Sequence, residues 1–240
     1  DSTNHALMDS GTLTIAGATT LNSGSADLTL DEAASTFGSL TITGAAVSMV
    51  ENAAIDLAGA TISGAASFAS TNHVITDSGT LTINGATTFD SGSADLTLDE
   101  AASTFGSLTI TGAAVSVVEN AAMDLAGATI SGVASFYSSD NAITDTGTLT
   151  VTGSTTFDSG SGDLTLDEAG STFGSLTLTG GAVSVIENAA MDLAGAAISG
   201  TASFNSRNHA ITDSGTLAIT GATTFDSGSA ALTLDEAAST

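Results

Sequence analysis

Asp99-Glu100, with Asp95 four residues earlier, is the carboxylate grouping in this chain best suited to holding a cation. The pair returns at Asp31-Glu32, Asp167-Glu168 and Asp235-Glu236. Calcium takes six to eight oxygen ligands, more than one such turn supplies. Copies that recur every third coil of a stacked chain lie roughly 14 Å apart and cannot pool their oxygens. The Gly-Gly-x-Gly-x-Asp pattern of calcium-binding β-helices is absent. These turns therefore read as solvated carboxylates.

His5, His73 and His209 invite metal or proton chemistry, but each stands in a separate copy of one turn, and the remaining copy has Asn141 instead. They read as variable-turn residues. Ser, His and Asp all occur, yet no Gly-x-Ser-x-Gly elbow between a strand and a helix presents a nucleophile. A third possibility is a surface array. Thr14, Thr41, Thr61, Thr82, Thr109, Thr129, Thr150 and Thr177 are expected to align outward, flanked by Thr43, Ser63, Asn84, Thr111, Ser131 and Thr152. Such a Thr-x-Thr face resembles the ice-binding face of some β-solenoid antifreeze proteins. Ordinary strand propensity explains most of it, and Asn84, Ala197 and Ala218 interrupt it. No catalytic, cofactor-binding or metal-ligating residue is assigned, and no cofactor is expected.

What positions these residues is a repeat. Gly79-Thr-Leu-Thr-Ile-Asn-Gly-Ala-Thr-Thr-Phe89 recurs almost unchanged at Gly11, Gly147 and Gly215, with the same 68-residue step each time. Phe37, Phe105 and Phe173, and Glu51, Glu119 and Glu187, keep that step. A fixed long period points to a solenoid, a propeller or an array. Units run over 11–78, 79–146 and 147–214, with partial units at both ends, and 1–240 forms one continuous segment. Inside a unit, Gly17, Gly44, Gly64 and Gly85 each close an alternation of apolar residues with Thr or Ser, at steps of 27, 20 and 21, which gives three coils per unit.

Each coil carries three runs of three to five residues, rich in Thr, Val, Ile and Leu and separated by Gly, Ser, Asp and Asn. These runs are too short for a helical stripe, and their β-branched residues favour strands. Coils of about 20 residues locked in phase favour winding in one direction, so the expected fold is all-β: a parallel β-helix, or β-solenoid, of about ten coils. Such a stack makes a rod of roughly 50 Å at ~4.8 Å per coil. Leu13, Leu40, Leu81 and Leu108 are expected inward with Ile15, Ile42, Ile62, Ile83 and Ile110. Phe68 with Phe89, Phe136 with Phe157, and Phe204 with Phe225 share a register and should stack. The 27-residue step implies a protruding turn at Asp99–Phe105, with Phe105 and its copies folded back over the coil edge.

Composition narrows the partners. Twenty-six acids face one base, Arg207, for a net charge of -25. Nucleic acid is excluded as a partner because phosphate contacts need Lys or Arg, and anionic lipid surfaces are disfavoured likewise. A polysaccharide-active β-helix enzyme needs cationic groups to hold an anionic chain, which one Arg does not supply. No apolar run is long enough to insert into a membrane. Charged residues are only 11% and hydrophobic residues 42%, so the chain folds rather than remaining an acidic disordered tail. The lack of cysteine leaves no disulfides and fits an exported protein stabilised by other means.

The runs Gly38-Ser-Leu-Thr-Ile-Thr-Gly-Ala-Ala-Val-Ser-Met-Val-Glu-Asn52 and Ala94-Asp-Leu-Thr-Leu-Asp-Glu-Ala-Ala-Ser-Thr-Phe105 resemble the repeats of filamentous-haemagglutinin-type large exoproteins. The resemblance implies a right-handed parallel β-helix in a bacterial surface or secreted adhesin, hence an extracellular stalk or fibre. The expectation is a structural segment without catalysis, at the cell surface. Its partners would be further copies of its own repeat, with cell-surface glycans or neighbouring cells beyond them. Neither end carries a cap, so covalent continuation past Asp1 and Thr240 is expected in preference to end-to-end stacking of subunits. An ice-binding solenoid and a polysaccharide-active enzyme are the rival readings.

Overall fold

The computed structural model describes residues 1–236. Among them it contains strands and turns and no helix. The chain divides into two compact units, Asp1–Asn120 and Ala121–Thr240. Each is a parallel β-solenoid, as the short alternating runs lead one to expect. All strand pairs within a unit are parallel and join successive coils. The apolar alternation sets the inside: in Val47–Glu51, Val47, Met49 and Glu51 are buried while Ser48 is exposed.

One coil of the first unit shows how three sides are made. Val47–Glu51 is one side. Ile55–Ile62 then supplies the other two, because it bends near Gly59. Its first half registers with the next coil as Ile55↔Ile75 and Leu57↔Asp77, its second half as Ala60↔Leu81 and Ile62↔Ile83. The inner column of the first side reads Leu28, Val47, Ala66, Thr87 and Leu108. Beside it run Leu30, Met49, Phe68, Phe89 and Ile110. The most deeply buried large side chains come from these and neighbouring columns, including Leu28, Met49, Phe68 and Phe89, each at most 1% exposed.

The phase of the repeat differs from the sequence expectation of three coils per unit. Three coils carry Leu28 to Thr87, and a fourth carries it to Leu108. The copy of Leu28 in the next repeat is Leu96, which falls between those two and stands on a different column, Ile55, Ile75, Leu96 and Val115. A repeat thus spans three coils and one further side. The second unit repeats the relation: Leu164 registers with Val183, whereas its copy Leu232 registers with Ile211.

The reason is local. Gly17 does not sit below Gly44. It sits below Gly38, where an added Cβ would lie 3.0 Å from the Gly17 carbonyl oxygen. Thr36–Gly44 bends at that glycine, where its register on Thr14–Asn22 shifts. The extra six or seven residues form an ordinary side of the coil, so the expected protruding turn is absent. Asp99–Ser103 is a tight turn closed by the Ser103 N–H donating to the Glu100 carbonyl at 2.8 Å. The last copy, from Asp235, runs into residues outside the described ones, as does Thr240.

The phenylalanine expectation holds. Phe68 and Phe89 stack with centroids 5.4 Å apart, Phe136 and Phe157 at 5.2 Å, and Phe204 and Phe225 at 5.3 Å. Phe105 and Phe173 are buried and meet Phe89 and Phe157 edge-on at 5.8 Å. Leu40, Ile42, Ile62, Leu81, Ile83, Leu108 and Ile110 are buried as expected. Leu13 and Ile15 are more than a third exposed, because they lie in the first coil and are covered from one side only.

Candidate functional site

The Thr residues expected to make one outward array belong to several columns. Thr82 registers with Thr61 and Thr104, Thr109 with Thr88, Thr41 with Thr20 and Gly59, and Thr14 with Thr36. Advancing one side per repeat scatters the copies around the coil. A shorter row, Thr43, Thr61, Thr82 and Thr104, does form, but the column beside it passes from Thr41 to Gly59.

The acidic turn also differs from a cation site. Asp95 accepts from the Ala114 N–H at 3.0 Å, as Asp27 does from Ala46 and Asp163 from Ala182, so it serves the next coil rather than the Asp99-Glu100 pair. His5, His73 and His209 are exposed turn residues, with the His5 ring near the Thr3 carbonyl and the His209 ring near that of Ser206. Among the described residues no group of three or more His, Asp or Glu could hold a metal.

The structure draws attention instead to carboxylates that the sequence presents only as repeat markers. Glu51, Glu119 and Glu187 are fully buried. Each occupies the inward phase of its alternation, the third inward place after Val47 and Met49, Val115 and Val117, or Val183 and Val185. Oε1 of Glu51 accepts the Phe37 N–H at 2.7 Å, and Glu119 and Glu187 accept those of Phe105 and Phe173 at the same distance. The Thr36 N–H donates back to the Leu13 carbonyl, so the Phe37 N–H faces the following coil. There the chain turns at Asn52-Ala53 and supplies no ladder carbonyl, and the glutamate takes its place.

Oε2 of all three glutamates is buried with no hydrogen-bond partner among the described residues. An ionised carboxylate buried with a single protein donor is costly. Burial therefore pushes these carboxyls up, against the smaller opposing pull of the phenylalanine N–H, to about 7 for Glu119 and Glu187 and in the same direction for Glu51.

A second set closes the acidic turn. Asp77 Oδ1 accepts the Asp99 N–H at 2.8 Å and Oδ2 that of Glu100 at 3.4 Å, and Asp145 does the same for Asp167 and Glu168. Burial raises both, to about 6 for Asp145; the backbone donors pull down, and the charges of Asp167 and Glu168 push Asp145 further up. Each repeat thus carries a buried glutamate that replaces a ladder bond and a nearly buried aspartate that caps a turn. The only signal for either in the sequence is a carboxylate at an inward phase.

Residues 2–44, 44–112, 111–179 and 180–240 each match one family, described as repeats of unknown function (DUF5649). The chain belongs to that repeat family. No curated protein and no solved structure matches the chain. The matched stretches 44–112 and 111–179 each cover one period of the repeat, and the buried glutamates recur at that period as part of the DUF5649 scaffold.

Proposed function

We propose that this chain is a structural segment, without catalysis, of a surface or secreted protein outside the cell, and that it carries mechanical load as a stalk does. The observation behind this reading is where the inward positions go. In columns such as Leu28, Val47, Ala66, Thr87 and Leu108 they are spent on the coil above and below. Differences between copies concentrate in one stretch, Ala69–His73 and its counterparts, whose residues Thr71, Asn72 and His73 are exposed. The adhesin role rests on the likeness of the repeats to those of large exoproteins and on the absence of cysteine. Further copies of the repeat are its natural neighbours, since stacked units bury what one unit leaves open.

Single-molecule pulling tests the reading. A load-bearing scaffold gives way in coil-sized steps of about 20 residues, or roughly 65–70 Å of extension each. Extension at negligible force, or turnover of an acidic polysaccharide by the intact chain, overturns it.

A further inference from the structure

We infer that the Phe37–Glu51, Phe105–Glu119 and Phe173–Glu187 contacts are proton-operated clasps, which hold a corner of the coil shut while the glutamate is neutral and release it as the carboxyl ionises. The inference does not depend on the proposed role as a stalk. Its basis is geometric. At each corner one buried N–H, which no ladder carbonyl reaches, is held by a side chain that can change charge. The second oxygen of that side chain is sealed in with no partner among the described residues. Neutral, the group fits its surroundings. Charged, it is buried with a single protein donor, and the simplest relief is to open the corner to bulk solvent.

The influences that shift Glu51, Glu119 and Glu187 are burial and one phenylalanine N–H each, and no cation is among them. Val47–Glu51 packs against Leu28–Leu30 and Ala66–Ser70. The titratable groups flanking those strands are Asp27, Asp31, Glu32 and His73, and Glu51 itself registers with Ser70. Val183–Ile186 packs against Leu164–Leu166 and Ala202–Asn205, flanked by Asp163, Asp167, Glu168, Arg207 and His209. Asp163, Asp167, Arg207 and His209 are exposed. The two influences on Glu187 are its burial and the Phe173 N–H.

The sign follows from linkage. A carboxyl raised in the folded state binds protons that the unfolded chain has already lost, so its contribution is whole below its ordinary value near 4.5 and is lost as pH rises through about 7. For one clasp this changes the folding or opening constant by roughly 300-fold over that window. Asp145 acts in the same direction at lower pH, being raised to about 6.

The test uses the full chain at about 1 M salt, where screening within roughly 3 Å suppresses surface repulsion. Amide exchange is followed at Phe37 and Phe173 between about pH 5 and 8.5, after correction for the intrinsic rate, in the wild type and in E51Q/E119Q/E187Q. Glutamine keeps an acceptor for the phenylalanine N–H and does not titrate. The expected result is a loss of protection with rising pH in the wild type, by about two orders of magnitude at Phe173, and a much shallower loss in the triple variant, which retains only the raised aspartates. An equal slope in both, or wild-type protection that does not fall, overturns the inference. Should the triple variant fail to fold, the wild-type Glu187 side-chain carboxyl is titrated by carbon NMR. A midpoint near 7 supports the clasp, and one near the ordinary 4.5 overturns it.

Discussion

Phe68 and Phe89 lie one above the other in successive coils, ring centroids 5.4 Å apart and planes 16° from parallel, and Phe105 closes against Phe89 edge-on at 89°. Phe89 is therefore the shared member of a three-ring cluster, in contact with a stacked ring on one side and a ring edge on the other. Both geometries suit the ring quadrupole.

Replacing Phe89 by Ala should cost about 3–5 kcal/mol, the usual range for a fully buried ring, and Phe157→Ala the same. Phe225→Ala should cost less, because among the described residues Phe225 meets one ring, that of Phe204, and is not fully buried. Denaturant unfolding measures the differences. Equal losses at Phe89 and Phe225 would show that the edge-on partner adds nothing.

Glycine substitutions should divide sharply by position. A Cβ on Gly85 would lie 2.5 Å from the Gly64 carbonyl carbon and oxygen and 2.6 Å from the Ala65 nitrogen, all backbone atoms of the adjacent coil. Gly85→Ala must push two coils apart and is expected to cost more than about 2 kcal/mol. Gly195→Ala meets only ordinary contacts, the nearest a Thr177 methyl at 3.7 Å, and should change stability by less than about 0.5 kcal/mol. Thermal unfolding of the two variants checks the contrast.

Asn72 has a left-handed backbone, at φ 58°, and its Oδ1 accepts from both the N–H and the hydroxyl of Ser93, each at 3.0 Å. Asn72→Ala loses the acceptor and the tolerance for positive φ together, at a cost of about 1–2 kcal/mol. Asn72→Asp should cost little, since Asp140 holds the equivalent place with φ 56° and accepts the Ser161 N–H at 2.8 Å. A loss as large for Asp as for Ala would show that the amide nitrogen matters and the acceptor does not.

With a net charge of -25 and one Arg, the folded chain repels itself. Raising salt from about 0.01 M to about 1 M shortens the screening length from roughly 30 Å to 3 Å and should raise the melting temperature by several degrees at pH 8. The gain should shrink at pH 5, where the buried carboxyls raised to about 6 and 7 are largely protonated. A salt effect that is the same at both pH values would assign it to ion exclusion rather than screening.

The winding, the strand content and the phenylalanine pairs were legible in the sequence because each depends on alternation and a fixed period, which side-chain type reports directly. The coil phase was not, since equal glycines need not be vertical neighbours: Gly17 meets Gly38, whereas the spacing of motifs pairs it with Gly44. That single misalignment turned an ordinary side into an expected protrusion and drew the Thr residues into one array. Glu51 was missed for another reason. A charged residue at the end of Val47–Glu51 looks like a surface turn until Phe37 is known to aim a backbone N–H at it.

Because the repeat overshoots three coils by one side, the copy of a residue stands on a different side of the coil, as Leu96 does relative to Leu28. Asp56 registers with Thr76, which is followed by Thr97 and Ser116; Asp90 lies between Ala69 and Thr111, and Asp158 between Tyr137 and Thr179. Among the described residues, no strand register within either unit sets one acid on another, and the acids that do meet across coils, such as Asp77 with Asp99 and Asp145 with Asp167, meet at the turn, where one carboxylate accepts the other residue's N–H. A gene that grew by tandem duplication of a unit of three whole coils would have set every acid above its own copy at about 14 Å intervals, in one column of like charge along the axis. Here duplication interleaves unlike rungs. An acidic sequence can then be copied repeatedly without its carboxylates accumulating in one line, and a substitution in the ancestral unit is tested against a different neighbour on each side of the coil.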